Sequence, residues 1–148
     1  MKKITIKNLS DLQSFAKEFL LSLENGKSPD KAIVVALSGN LGAGKTTFVQ
    51  LLAKDLGVSE VVTSPTYTIL KQYEIKEDKE FKYLVHMDAY RLDSVEELKP
   101  LRFDEFLNKQ NTIFCIEWAD KIREVLPNDT VFVSLNMTDE NTREVVVS

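Results

Sequence analysis

The chain has 148 residues, 43% hydrophobic and 28% charged, an ordinary globular composition with enough length to bury a core without disulfides. A single cysteine and a single histidine exclude a disulfide scaffold and a Cys/His zinc cage built within one chain. Nineteen Lys and Arg against 23 Asp and Glu leave a formal charge of −4, so there is no basic footprint of a protein that grips nucleic acid alone.

No apolar run approaches the ~20 residues needed to cross a bilayer. Met1-Lys2-Lys3-Ile4-Thr5-Ile6 is basic, but it lacks the apolar stretch and cleavage site of a signal peptide. With the lone cysteine, these features predict a cytoplasmic protein without membrane association. No repeat, low-complexity tract or Pro/Ser-rich linker divides the chain, which reads as one domain over residues 1–148.

In chain order, a strand at Ile4–Ile6 precedes a helix from about Asp11 to Glu24. Ser10 reads as its N-cap, Leu12, Phe15, Ala16, Phe19, Leu20 and Leu23 as its apolar face, and Gly26 lies just beyond its end. Ala32–Leu37 is apolar without alternation, as a strand covered on both faces should be. After a glycine loop, Thr46–Leu56 reads as a helix that turns Phe48, Val49, Leu51, Leu52 and Leu56 inward and stops at Gly57. Val61–Thr63 reads as a short strand. Thr68–Ile75 and Phe81–Met87 read as hairpin arms around a charged turn, Lys76–Glu80. Short helices follow at Ser94–Lys99 and Asp104–Lys109, then a second wholly apolar strand at Ile113–Ile116, where Cys115 reads as core. A helix over Ala119–Val125 stops before Pro127, and Val131–Leu135 with Arg143–Val147 closes the chain as a strand pair. This order predicts an α/β three-layer sandwich with a largely parallel central sheet, helices on both faces and an antiparallel hairpin.

Gly39-Asn40-Leu41-Gly42-Ala43-Gly44-Lys45-Thr46 fits the phosphate-loop pattern G-x-x-x-x-G-K-[ST] at every fixed position. Glycines let the backbone turn its N–H groups inward as an anion nest, and the following helix adds its unpaired N–H groups and positive dipole end. Lys45 can reach the β- and γ-phosphates, the Thr46 hydroxyl can ligate Mg²⁺, and Thr47 adds a donor on the α-phosphate side. A loop of this kind needs an acid at a neighbouring strand tip. Asp88 and Glu117 are the two candidates. Glu117 follows the cleaner apolar run and suits the metal; Asp88 suits metal-bound water or the attacking water. Ser64-Pro65-Thr66 lies where a hydroxyl could sense the γ-phosphate. His86, inside a strand, reads as packed and hydrogen-bonded. Arg91 reads equally as ion-pair partner or charge stabiliser, and Trp118 as a stacking or a buried ring.

The glycine loop with Thr47-Phe48, together with Ser64-Pro65-Thr66-Tyr67, His86-Met87-Asp88-Ala89-Tyr90-Arg91-Leu92 and Ile116-Glu117-Trp118, resembles the TsaE family over nearly the whole chain. The resemblance implies a P-loop NTPase-like α/β fold, Mg-ATP binding and slow hydrolysis, in concert with TsaD-like and TsaB-like partners that transfer a threonylcarbamoyl group to the adenosine next to the tRNA anticodon. It places phosphates on Lys45, Mg²⁺ on Thr46 and Glu117, and a Walker-B-like role on Asp88. Thr66 falls in a switch-like segment, Trp118 near the nucleotide or a partner, and Ser10 and Arg143 near the base. ATP rather than GTP comes from this resemblance, although no N-K-x-D guanine-reading element is present. The acidic charge then implies that tRNA is carried by a partner. Two other functions use the same loop: a small-molecule or nucleotide kinase, and a nucleotide-responsive scaffold without relevant turnover.

Overall fold

A computed structural model describes residues 2–25, 30–40, 42–63, 70–76 and 80–148. Its strands are β1 (Lys2–Ile6), β2 (Ile33–Ser38), β3 (Leu70–Glu74), β4 (Tyr83–Asp88), β5 (Thr112–Glu117), β6 (Val131–Met137) and β7 (Arg143–Val147). They form one sheet in the order β1-β7-β6-β2-β5-β4-β3. The four central strands β6-β2-β5-β4 run parallel, while β3 on β4, and β7 and β1 beyond β6, run antiparallel. The parallel sheet is therefore confined to the middle, and it is flanked on both sides by antiparallel pairs.

The middle is parallel because β2 and β5 are apolar on both faces. Val34–Leu37 and all of β5 are buried, which only a covered sheet permits. On one face lie α1 (Leu9–Asn25) and α2 (Lys45–Leu56). Leu12, Phe15, Ala16, Phe19, Leu20 and Leu23 bury the expected stripe of α1. Phe48 of α2 meets Phe15 and Phe19 with ring centroids 5.4 and 5.5 Å away. Ala53 is buried in α2 where Leu51 was expected to be, and Leu51 is only half-buried. The other face carries two 3₁₀ segments, Val95–Leu101 and Ala119–Val125, and the five-residue α3 (Phe103–Leu107). Leu98, Phe103 and Ile122 bury that layer against Val85, Met87, Phe114 and Ile116.

Three expectations change. Asn8, not Ser10, caps α1: its side-chain oxygen accepts the Asp11 N–H at 2.9 Å, while the Asp11 carboxylate accepts the Lys7 N–H at 2.9 Å. Ser10 already lies inside the helix. Val61–Thr63 forms no strand. The Val62 carbonyl instead accepts Gln50 Nε2 at 2.8 Å, and Val61 is 80% exposed, so three residues tied to α2 have no ladder to join. The segment Ala119–Val125 is 3₁₀ with a break at Ile122 rather than a regular helix. Gly26, Leu41, Ser64, Pro65, Thr66, Tyr67, Thr68, Ile69 and Glu77 to Lys79 lie outside the described residues, so the expectations for them stand as stated above.

Candidate functional site

The carboxyl ends of β2, β4 and β5 converge on one cavity of about 360 Å³, the edge at which open α/β sheets bind ligands. Its floor is the loop between β2 and α2. Gly39 (φ 136°) opens that loop pressed against β6: a Cβ there would sit 1.9 Å from the Leu135 carbonyl oxygen. Gly44 (φ 106°) closes it in a conformation that L side chains rarely adopt, and it hands the chain to α2 as the N-cap with no side-chain bond to the first turn. The helix therefore begins with unpaired N–H groups facing the cavity. Gly42, Gly44, Lys45, Thr46 and Thr47 all line it.

Lys45 is 5% exposed, and its ammonium donates to the carbonyls of Gly39 (2.7 Å) and Asn40 (3.1 Å). It also sits 4.3 Å from the centre of the Trp118 ring. Burial pulls its pKa below the ordinary lysine value, and the negative charges of Glu117, Asp88 and Asp120 oppose that shift. The Asn40 carbonyl also accepts the Ala43 N–H at 3.0 Å, which tightens the turn.

Glu117 ends β5 at 4% exposure, beside Asp88 at the end of β4 in the parallel register. The Thr46 hydroxyl lies 3.0 and 2.9 Å from the two Glu117 carboxylate oxygens. His86 Nε2 lies 2.5 Å from Glu117 Oε2. Asp88 accepts the Tyr90 N–H at 2.9 Å. Burial raises the Asp88 pKa above the usual carboxylate value, and nearby Glu117 pushes the same way, whereas the Tyr90 N–H, His86 and Lys45 lower it. A hydroxyl touching a buried carboxylate, with a second carboxylate next to it, is an all-oxygen donor set suited to a small hard cation such as Mg²⁺.

A family model described as "Threonylcarbamoyl adenosine biosynthesis protein TsaE" matches residues 6–145. The chain belongs to the TsaE family. Members named "tRNA threonylcarbamoyladenosine biosynthesis protein TsaE" include one from Treponema pallidum, 39% identical over 83% of this chain and 87% of that protein. Another, from Bacillus subtilis, is 38% identical over 76% of this chain and 66% of that protein. The Aquifex aeolicus protein is 32% identical over 98% of this chain and 94% of its own length. The crystal structure of Bacillus subtilis YdiB superposes with a TM-score of 0.72 at 30% identity, covering 97% of this chain and 82% of that one. The family acts in tRNA threonylcarbamoyladenosine biosynthesis.

Among the residues expected from the TsaE resemblance, the cavity brings together Lys45, Thr46, Thr47, Asp88, Glu117 and Trp118. Ser10 instead lines a separate groove between α1 and α2, with Gln13, Lys17, Leu51 and Lys54. Arg143 opens β7 with its Nε buried and without a hydrogen-bond partner among the described residues, 3.9 Å from where a Gly44 Cβ would lie, so it flanks the loop without lining the cavity. Leu41 and Thr66 lie outside the described residues.

Two contributors were harder to see in the sequence. Tyr90 packs at a tilt against Trp118 with centroids 5.0 Å apart, and Lys121 donates to the Tyr90 carbonyl. Trp118 adopts a left-handed backbone (φ 57°), which turns its ring back over Lys45. The contact of His86 with Glu117 is the other. Its signal was the two-residue spacing of His86 and Asp88, which puts both on the same face of a strand that pairs with one ending in an acid.

Proposed function

We propose that this chain is a Mg²⁺-dependent P-loop ATPase domain, slow alone, that works in the cytoplasm in tRNA threonylcarbamoyladenosine biosynthesis. Its nucleotide state would act on TsaD-like and TsaB-like partners that carry the tRNA. The observation that supports this most is the Thr46 hydroxyl within 3.0 Å of the buried Glu117 carboxylate, one residue from a buried Lys45 on a glycine loop. Two adjacent carboxylates and a triphosphate would repel one another strongly in a half-buried cavity. Thr46 and Glu117 would hold a divalent cation there, which would offset that repulsion and supply Lewis-acid polarisation of a terminal phosphoryl group.

The chain's own groups then divide the work. Loop amides and the start of α2 cradle the phosphates, and Lys45 supplies a point charge to them. The Tyr90 N–H fixes one oxygen of Asp88, which leaves the other to orient a water toward the terminal phosphorus. The raised pKa of Asp88 makes it a better proton acceptor than a surface aspartate. Arg91 is the one arginine lining the cavity among the described residues, so charge stabilisation in the transition state has room for a group from a partner.

Phosphate release from ATP labelled at the γ-position tests this reading. Wild type should pass the label to water alone, with a rate that rises when the TsaD-like and TsaB-like proteins are added. Lys45→Ala should weaken ATP binding by about tenfold or more without unfolding the chain. Unchanged ATP affinity in that variant, or label appearing on a small-molecule acceptor, would overturn the proposal.

A further inference from the structure

We propose that His86 is a positioning residue for the cation site, acting through Glu117. This deepens the reading of that site as a Mg²⁺ site and rests on it. His86 is fully buried near the end of β4, between the apolar neighbours Val85 and Met87. An imidazole there costs free energy that an aliphatic side chain would not, unless its polar atoms find partners. One does: Nε2 stands 2.5 Å from Glu117 Oε2. The other, Nδ1, is buried and has no hydrogen-bond partner among the described residues.

The carboxylate fixes the direction of this bond. A carboxylate oxygen only accepts, so Nε2 carries a proton and donates it to Glu117.

The consequence lies at the Thr46 end of the same carboxylate. Thr46 Oγ1 is nearly equidistant from both Glu117 oxygens, at 3.0 and 2.9 Å, so its hydroxyl alone does not choose between them. His86 does choose. It reaches diagonally across the β4–β5 register, in which it faces Cys115, and anchors Oε2. The carboxylate cannot then rotate about its terminal bond without breaking a buried bond. Were a cation to engage Thr46, that hydroxyl would give up its bond to Glu117, and His86 would be the donor that keeps the carboxylate in place. Partners of this outer-shell kind are worth about 10–100-fold in metal affinity.

The experiment measures the affinity of a non-hydrolysable ATP analogue in Mg²⁺ and in excess EDTA, for the untagged full chain and two variants. His86→Leu keeps similar bulk and removes the donor; His86→Gln can return an N–H to the same oxygen. His86→Leu should lose about 10–100-fold in apparent Mg²⁺ affinity, with its affinity in EDTA unchanged, and His86→Gln should recover much of the loss. Equal losses in Mg²⁺ and EDTA, a wild-type Mg²⁺ response in His86→Leu, or no recovery in His86→Gln would each overturn the assignment. If the wild type shows no Mg²⁺ response, the site reading falls and this inference with it. If it responds but His86→Leu responds equally, only the inference falls. Should His86→Leu fail to fold, wild type still decides: His86 is the chain's one histidine, so ring ¹⁵N spectra report it alone. A proton on Nε2 is expected, and a bare Nε2 would overturn the proposal.

Discussion

The two layers covering the sheet are built in different ways. On one face, α1 and α2 run 17 and 12 residues and lock together through Phe15, Phe19 and Phe48. On the other, the chain covers the sheet with 3₁₀ turns and a five-residue helix, and left-handed residues stand at the joints Arg102 and Trp118. The difference follows from what each layer must deliver. The long helices need only bury an apolar stripe and start α2 at the phosphate loop. The chain turns at Tyr90, two residues past Asp88, and enters the second 3₁₀ segment at Ala119, two residues past Glu117. It must turn at once so that Tyr90 and Trp118 fold back over the cavity. Regularity holds the first layer together; irregularity in the second shapes the site.

The largest effect expected from that contrast is on stability. Phe48→Ala removes the ring shared by both aromatic contacts in a fully buried position, and should cost about 3–5 kcal/mol, or a fall in Tm of ~10 °C. Phe106→Ala, a half-buried ring set edge-on to Phe114 at 6.0 Å, should cost only about 1–2 kcal/mol. Thermal melts of the two variants check this pair, and equal losses would break the contrast.

A smaller effect lies at the site itself. Burial disfavours the ionised form of Asp88, so the folded chain binds its proton more readily than the unfolded chain does. Ionised Asp88 therefore costs the fold stability once the pH is above its folded pKa, and costs nothing below the ordinary aspartate value. Asp88→Asn keeps the acceptor for the Tyr90 N–H and removes the charge. It should raise Tm by ~2 °C at neutral pH in EDTA, and the gain should shrink as the pH falls toward 4. In Mg²⁺ with ATP the sign should reverse, because the variant loses a group the cation complex uses. A gain that grows on acidification would contradict the burial argument.

The sequence carried the parts of this molecule governed by local pattern. Period 3.6 in α1 located all six buried residues, and the unalternating runs at β2 and β5 located two of the three most covered strands. The glycine loop and the acid after β5 needed only fixed spacing and an apolar run to be placed at one strand edge. What escaped depends on distant segments. The pairing of β1 with β7 joins the two ends of the chain and leaves no mark on either strand alone. The His86–Glu117 contact spans two strands and needs their register, which spacing along β4 does not set. Asn8 and Ser10 are both competent caps, and the Asp11 N–H donating to the Asn8 side chain distinguishes them. The left-handed turn at Trp118 comes from packing against Tyr90 and Lys45, not from any preference of tryptophan.

The central claim is that Thr46 and Glu117 together bind the cation of a nucleoside triphosphate. Calorimetric titration of ATP into wild type and Glu117→Ala, each with Mg²⁺ and with EDTA, tests it most directly. Wild type should bind at least about tenfold more tightly with Mg²⁺, and Glu117→Ala should lose that advantage while binding metal-free ATP as wild type does. An advantage from Mg²⁺ that survives intact in Glu117→Ala would contradict it.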